Sequence, residues 1–198
     1  MSKEYSLTTP LREDDVRKLN VRDIVYLSGR IYGIRDATQR RIFKEHVPPP
    51  VGFRRYPCLH TAPNVRKVGD RYLKICIGTT TSARMEEYTP KLIGEYGVSA
   101  IIGKGGLLKD SLKAMQEYGA VYLAVTGGAA ALQTTQIEEI ENTYWEDLFP
   151  ECIWQLRAKN LGPLIVAMDS HGESLYLKVK KRAQRRLPRI LKEIGATT

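Results

Sequence analysis

Four residues of this sequence are complementary in chemical type: Arg35, Thr80, Arg84 and Lys104. Each follows a segment with strand character, so each falls where a chain leaving a parallel sheet turns and where ligand crevices form. Two guanidinium groups can each clamp a carboxylate in fork geometry. Lys104, set between Gly103 and Gly105-Gly106, can approach a ligand closely because its neighbours carry no side chain. The stretch Gly78-Thr79-Thr80-Thr81-Ser82 adds hydroxyls and, at the start of a predicted helix, free amide donors that favour an anion. Together these groups suit a small dianion. Taken singly they have plainer readings. Gly-Thr-Thr-Thr-Ser is also an ordinary helix cap, the Lys104 loop lacks the glycine spacing and the following Ser or Thr of a phosphate-binding loop, and a lone Arg is usually solvated.

Other reactive side chains are scattered. His46, His60 and His171 are too far apart to suggest a metal set or a triad, no carboxylate is paired with any of them, and they receive no role. Cys58, Cys76 and Cys152 form no Cys-x-x-Cys pair and are odd in number, so disulfides are not expected. Three thiolates could hold an iron-sulfur cluster, but Cys76 and Cys152 fall in apolar, strand-like runs, which favours small buried hydrophobes.

Alternation over residues 23–34 predicts two strands or one bent strand, followed by a helix capped by Asp36 and stopped by Pro48-Pro49-Pro50. Residues 51–70, broken by Gly52, Pro57, Pro63 and Gly69, read as an irregular surface excursion. Then comes a rhythm of strand, glycine loop and helix. A strand from Tyr72 to Ile77 leads to a helix from Thr81 or Ser82 to Gly97, one from Val98 to Ile102 to a helix ending at Gly119, and one from Ala120 to Val125 to Thr126-Gly127-Gly128-Ala129-Ala130. Three such units predict an α/β fold with a parallel sheet and right-handed crossovers. After an acidic, aromatic segment (Glu138 to Asp147), strands at 152–156 and 164–168 suggest an antiparallel pair. The last helix is expected to begin near Pro188.

The chain has 198 residues, 42% hydrophobic and 27% charged, which excludes a disulfide mini-protein and general disorder. No boundary interrupts it, so 1–198 reads as one domain, with 178–198 a basic C-terminal segment of that domain. Without a long apolar run or a leader, the reading is cytoplasmic and not membrane-bound. Of the net charge of +9, eight basic residues lie between Lys178 and Lys192 with no acid among them, which leaves 31 − 8 = 23 basic against 22 acidic residues elsewhere. A basic tail could serve a nucleic-acid-associated binding module, but no base-reading motif supports that, and a solvated or partner-facing segment is favoured.

The stretch Gly78-Thr79-Thr80-Thr81-Ser82-Ala83-Arg84-Met85, with Tyr88-Thr89-Pro90-Lys91-Leu92 and Ala100-Ile101-Ile102-Gly103-Lys104-Gly105, closely resembles the signature of the class I fumarate hydratase beta region, shared with the beta subunit of L(+)-tartrate dehydratase. Tyr26-Leu27-Ser28-Gly29-Arg30-Ile31-Tyr32, Arg35-Asp36-Ala37, Gly127-Gly128-Ala129-Ala130-Ala131-Leu132, and the Trp154 and Leu164 to Asp169 strands extend the likeness to residues 20–177. It implies a swivelling beta/beta/alpha domain with a central mixed, largely parallel sheet. It implies one subunit of a hydro-lyase that reversibly hydrates a C4 dicarboxylate, fumarate to malate first and L(+)-tartrate as the alternative. The resemblance also implies a hetero-oligomer whose 4Fe-4S cluster is held by a partner alpha subunit and not by this chain. Arg35, Thr80, Arg84 and Lys104 would bind the substrate carboxylates. Lys104 and Thr80 would be catalytic, Thr80 as a positioning or relay group because a threonine is a poor base. The sequence departs from the family at Thr38-Gln39, where members often have a histidine, at Gly78-Thr79-Thr80 in place of Gly-Pro-Thr-Thr, and in its basic tail.

Overall fold

Ile24–Ile34 form a single strand of 11 residues in the computed structural model, which describes residues 2–195. Met1 and residues 196–198, the end of the basic segment, lie outside the described residues. In chain order, β1 (Glu4–Thr8) and α1 (Glu13–Arg17) precede that long strand, β2 (Ile24–Ile34), and α2 (Asp36–Phe43) follows it directly. Next come β3 (Pro57–His60) and the hairpin β4 (Asn64–Val68) and β5 (Arg71–Cys76), then a 3-10 turn at Ser82–Met85 and α3 (Thr89–Gly94). The chain continues through β6 (Ala100–Gly103), α4 (Lys109–Tyr118), β7 (Val121–Ala124) and α5 (Ala130–Gln136), and ends in β8 (Ile137–Tyr144), β9 (Ile153–Met168) and α6 (Leu175–Glu193).

The main sheet has the order β1-β2-β3-β6-β7-β9-β8, and β2 pairs with β9 as well. The sheet thereby closes on itself through β2, β3, β6, β7 and β9, with β1 and β8 hung on the ring. Pairings from β1 to β2, β3, β6 and β7 are parallel, and β9 runs antiparallel to β2, β7 and β8. This is a mixed, largely parallel α/β architecture. Strand parity sorts the core into two parts. Leu59, Ala100, Ile102, Leu123 and Trp154 pack in one cluster, while their chain neighbours Cys58, Ile101, Tyr122 and Ile153 join Leu92, Ile93, Leu112 and Met115 from α3 and α4 in the other.

Four expectations are corrected. The supposed surface excursion contains β3, buried along its whole length and paired with both β2 and β6. A buried parallel strand shows no alternation, and four residues beginning with proline leave little periodic signal. The strand at Tyr72 to Ile77 is β5, outside the main sheet. Its burial alternates because only one face of the β4–β5 hairpin is covered. The two strands at 152–156 and 164–168 are one 16-residue strand, which serves β8 with its first half and β7 with its second. Pro188 lies inside α6, not at its first turn: Ser174 caps the helix, accepting from the Leu177 amide at 3.4 Å, and the bond Pro188 cannot make falls on an exposed stretch that water can solvate.

Candidate active site

Topology alone brings the carboxyl ends of β2, β3, β6 and β7 to one edge of the ring, and the chain spends its glycines there. Arg35 follows β2 directly and Lys104 follows β6 directly. The Thr79–Ser82 segment, although it leaves a hairpin outside the sheet, is drawn between the ends of β3 and β6. The Thr80 amide donates to the His60 carbonyl at 2.8 Å, the Ser82 amide to the Lys104 carbonyl at 2.8 Å, and the Lys104 amide to the Thr80 carbonyl at 3.4 Å. Three segments distant in sequence are thereby fixed by main-chain bonds.

Side chains complete the cluster. Arg84 donates through Nη2 to Thr80 Oγ1 at 3.1 Å, the one-turn spacing of a helical start. Asp36 lies between the two arginines: Arg35 Nε donates to its Oδ2 at 3.1 Å, and Arg84 Nη2 lies 3.9 Å from the same oxygen. Glu151 pairs with Arg35 at 3.3 Å and accepts from the Ala37 amide at 2.8 Å. The structure therefore brings Arg35, Thr80 and Arg84 together through Asp36. It ties Lys104 to them through the backbone, with no side-chain hydrogen bond between Lys104 and the other three among the described residues. The Lys104 side chain runs instead along Gly127, where a Cβ would stand 3.0 Å from Nζ and 3.1 Å from Cδ. Among the described residues Lys104 has no acidic partner, so its ammonium is free for a ligand. Beside it opens a cleft of about 480 Å³, lined by Lys104, Thr126, Gln133 and Tyr176 among mainly apolar neighbours.

Sequence reasoning missed Asp36 as an acid shared by two arginines, having read it as a cap, and missed Glu151, which lies more than a hundred positions from its partners. It also gave no role to His60. That ring is fully buried, with Nδ1 2.9 Å from Ser82 Oγ. Tyr122 donates to the same oxygen at 3.0 Å and accepts from the Gly106 amide at 3.3 Å. The Tyr122 proton is spent on Ser82, whose hydroxyl has a second lone pair and its own proton with which to bond His60 Nδ1 in either tautomer; the Nε2 atom has no partner among the described residues. Burial raises the Tyr122 phenol well above its usual range, so it stays a donor. This chain fastens the loops carrying Thr80, Arg84 and Lys104 to one another from beneath.

Burial pushes the His60 pKa down to about 3, with the Asp36 charge opposing. An unfolded imidazole titrates near ~6.5, so between those values the unfolded chain holds a proton that the folded chain refuses. The contribution of His60 is complete above pH ~6.5 and declines as pH falls toward the folded value, by about 1.4 kcal/mol per pH unit. Urea unfolding of the wild type across that window is expected to show this slope, and His60→Gln to lose it. Equal slopes would assign the acid sensitivity to another group.

The thiols do not form a cluster site. Cys58 and Cys152 are buried in different core clusters, Cys76 sits at the end of β5, and burial pushes the Cys152 thiol up to about 12. Among the described residues no group of three His, Cys, Asp or Glu side chains is placed to hold a metal ion. The donors present do not fit an iron-sulfur group. Likewise, no helix among the described residues is long and apolar enough to cross a membrane.

Comparison with known proteins follows the same lines. Residues 1–179 match the family model described as fumarase C-terminus. The chain is 42% identical to a provisionally named L(+)-tartrate dehydratase subunit beta of Methanocaldococcus jannaschii, over 95% of this chain and 98% of that protein. It is 37% identical to the L(+)-tartrate dehydratase subunit beta of Escherichia coli, over 95% of this chain and 94% of that one. A provisionally named class I fumarate hydratase of Geobacillus stearothermophilus is 34% identical over 92% of this chain, which spans 35% of that longer protein.

Proposed function

Because the chain belongs to the fumarase C-terminus family, we propose that it is the beta subunit of a two-subunit hydro-lyase that reversibly adds water across the double bond of a C4 dicarboxylate in the cytoplasm. The observation that carries this reading is the grouping of Arg35 and Arg84 with Thr80 through Asp36 at the carboxyl edge of the ring, with Lys104 tied to the same loop through the backbone and without an acidic partner among the described residues. Fumarate and malate are the expected pair. L(+)-tartrate is the second reading, favoured by the two relatives of matching length.

Removal of a proton from the carbon beside a carboxylate builds negative charge on that carboxylate. Fixed guanidinium and ammonium donors stabilise it more as it forms than before, which is what raises kcat. Arg35 and Arg84, held by Asp36 and Glu151, orient the carboxylates. Lys104 supplies the unshared charge. Thr80, which accepts from Arg84, has its own hydroxyl proton free to bond the substrate and positions the carbon acid or relays its proton. The 4Fe-4S cluster is assigned to the partner alpha subunit, since the thiols of this chain do not fit it.

Assays of the purified chain alone are expected to show no turnover of fumarate, malate or L(+)-tartrate and no cluster absorbance. Co-expression with the alpha subunit is expected to give both. Turnover by the isolated chain would overturn the assignment.

A further inference from the structure

The family match ends at residue 179, yet α6 continues to Glu193 with its residues from Lys178 to Arg189 all exposed. At 100° per residue, Tyr176, Val179, Ala183, Leu187, Ile190 and Ile194 fall within an arc of about 80°, and every cation from Lys178 to Lys192 except Lys180 and Arg186, which flank that arc, falls on the opposite side. Val179 is 66% exposed, Leu187 50%, Ile190 41% and Ile194 69%, so the aliphatic seam has no cover among the described residues. Lys180, Lys181, Arg182, Arg185, Arg186 and Lys192 have no acidic partner among the described residues. From this geometry we propose that α6 is the docking helix for the partner alpha subunit, received by an acidic surface with an apolar helix-binding groove.

Several observations select that occupant. A seam of Val, Ala, Leu and Ile spaced by three and four residues is the narrow stripe that packs into another helix. A lipid surface calls for a wider face with aromatic anchors, and a nucleic acid needs the cations but not the seam. A second copy of this chain is a poor complement, because two such helices repel and the dense acidic run is already engaged: Glu138 by Lys159, Glu139 and Glu141 by Arg157, Glu146 by Lys67 and Asp147 by Arg41. The root of the helix sits at the candidate site. Tyr176 lines the cleft beside Lys104, packs edge-on against Tyr122 at 6.1 Å, and occupies the space a Cβ on Gly106 would need. A subunit that completes the site therefore meets α6 at its base. The longer fumarate hydratase relative has this region joined covalently to the rest of its chain. The beta-subunit relatives, which match over nearly their whole length, must hold their partner by contacts alone.

This inference rests on the two-subunit reading, and its test separates the two. The full chain, a chain ending at Val179, the seam variant Leu187→Asp/Ile190→Asp and the charge variant Arg182→Glu/Arg185→Glu are each titrated with the alpha subunit co-expressed from the same genome, at low and high salt. The charge variant guards against loss of helicity in the seam variant, with circular dichroism as the check. Expected are a loss of affinity of about 100-fold on truncation and about tenfold or more in each variant, with the salt dependence reduced in the truncated chain and the charge variant but kept in the seam variant. Turnover per assembled complex at saturating partner is expected to stay within about twofold, because none of these residues belongs to the site. Wild-type affinity of the truncated chain would overturn the proposal. So would unchanged assembly accompanied by loss of binding to anionic phosphatidylglycerol vesicles or to transfer RNA. If the wild-type complex forms but turns over neither fumarate, malate nor L(+)-tartrate, the hydro-lyase reading fails while the docking result stands.

Discussion

Lys104→Met in the assembled enzyme is expected to lower kcat by about 10³-fold while leaving the thermal midpoint and subunit affinity at wild-type values. The separation follows from the surroundings of this side chain. Methionine keeps the length and the packing along Gly127 and removes only the ammonium. Because no carboxylate is paired with Lys104 among the described residues, the substitution strands no buried charge and carries little stability cost. Only the charge that develops on the substrate carboxylate loses its partner, so kcat and kcat/KM fall together while KM moves little. Arg84→Met is the instructive contrast. It removes the donor to Thr80 and one of the two cations beside Asp36, so it is expected to disturb KM as well as kcat. Wild-type kinetics for Lys104→Met would mean that the ammonium never meets substrate, and the dicarboxylate reading would lose its one unshared cation.

The contrast between these residues also shows what was legible in the chain. Arg35 and Lys104 stand immediately after strands that advertise themselves by apolar runs, so their place at the carboxyl edge follows from local pattern and from the rule that parallel sheets bind ligands there. Thr80 and Arg84 were legible for a different reason. They share a motif with a known family, and the strand that seemed to deliver them is a hairpin outside the sheet. Their true support is the end of β3, whose Pro57-Cys58-Leu59-His60 is too short, and too mixed in character, to announce a strand in the middle of the ring. Missing β3 meant missing His60, because a histidine in an apparent surface loop carries no signal. The same residue is informative once its neighbours on two strands bury it completely. Glu151 illustrates the remaining limit: its pairing with Arg35 joins segments that meet only when β9 folds against β2, a long-range closure that no window of sequence reports.

Gly103→Ala is expected to be the most damaging single methyl group in the chain, destabilising it by about 3 kcal/mol or more and lowering the melting temperature by roughly 6–12 °C. The new Cβ would stand 1.9 Å from Ser82 Oγ and 2.9 Å from the Tyr122 hydroxyl, the two central members of the buried polar chain. Neither can retreat cheaply. Ser82 is held by its own amide bond to the Lys104 carbonyl, and Tyr122 belongs to β7 and is buried on all sides. Relief requires the Thr79–Ser82 segment to move away from β6. That would leave His60 and Tyr122 with unsatisfied polar atoms in a water-free interior and would separate Thr80 from Lys104. Stability and turnover should therefore fall together, unlike the outcome for Lys104→Met. Two companions give the test its resolution. Gly128→Ala, where a Cβ meets nothing within 4 Å, is expected to be silent. Ser82→Gly in the Gly103→Ala background removes the atoms struck by the methyl group, so the double variant should be more stable than the sum of the two single losses. Strict additivity would show that the clash is relieved elsewhere, and that the polar chain beneath the site does not hold the Thr80 and Lys104 loops in register.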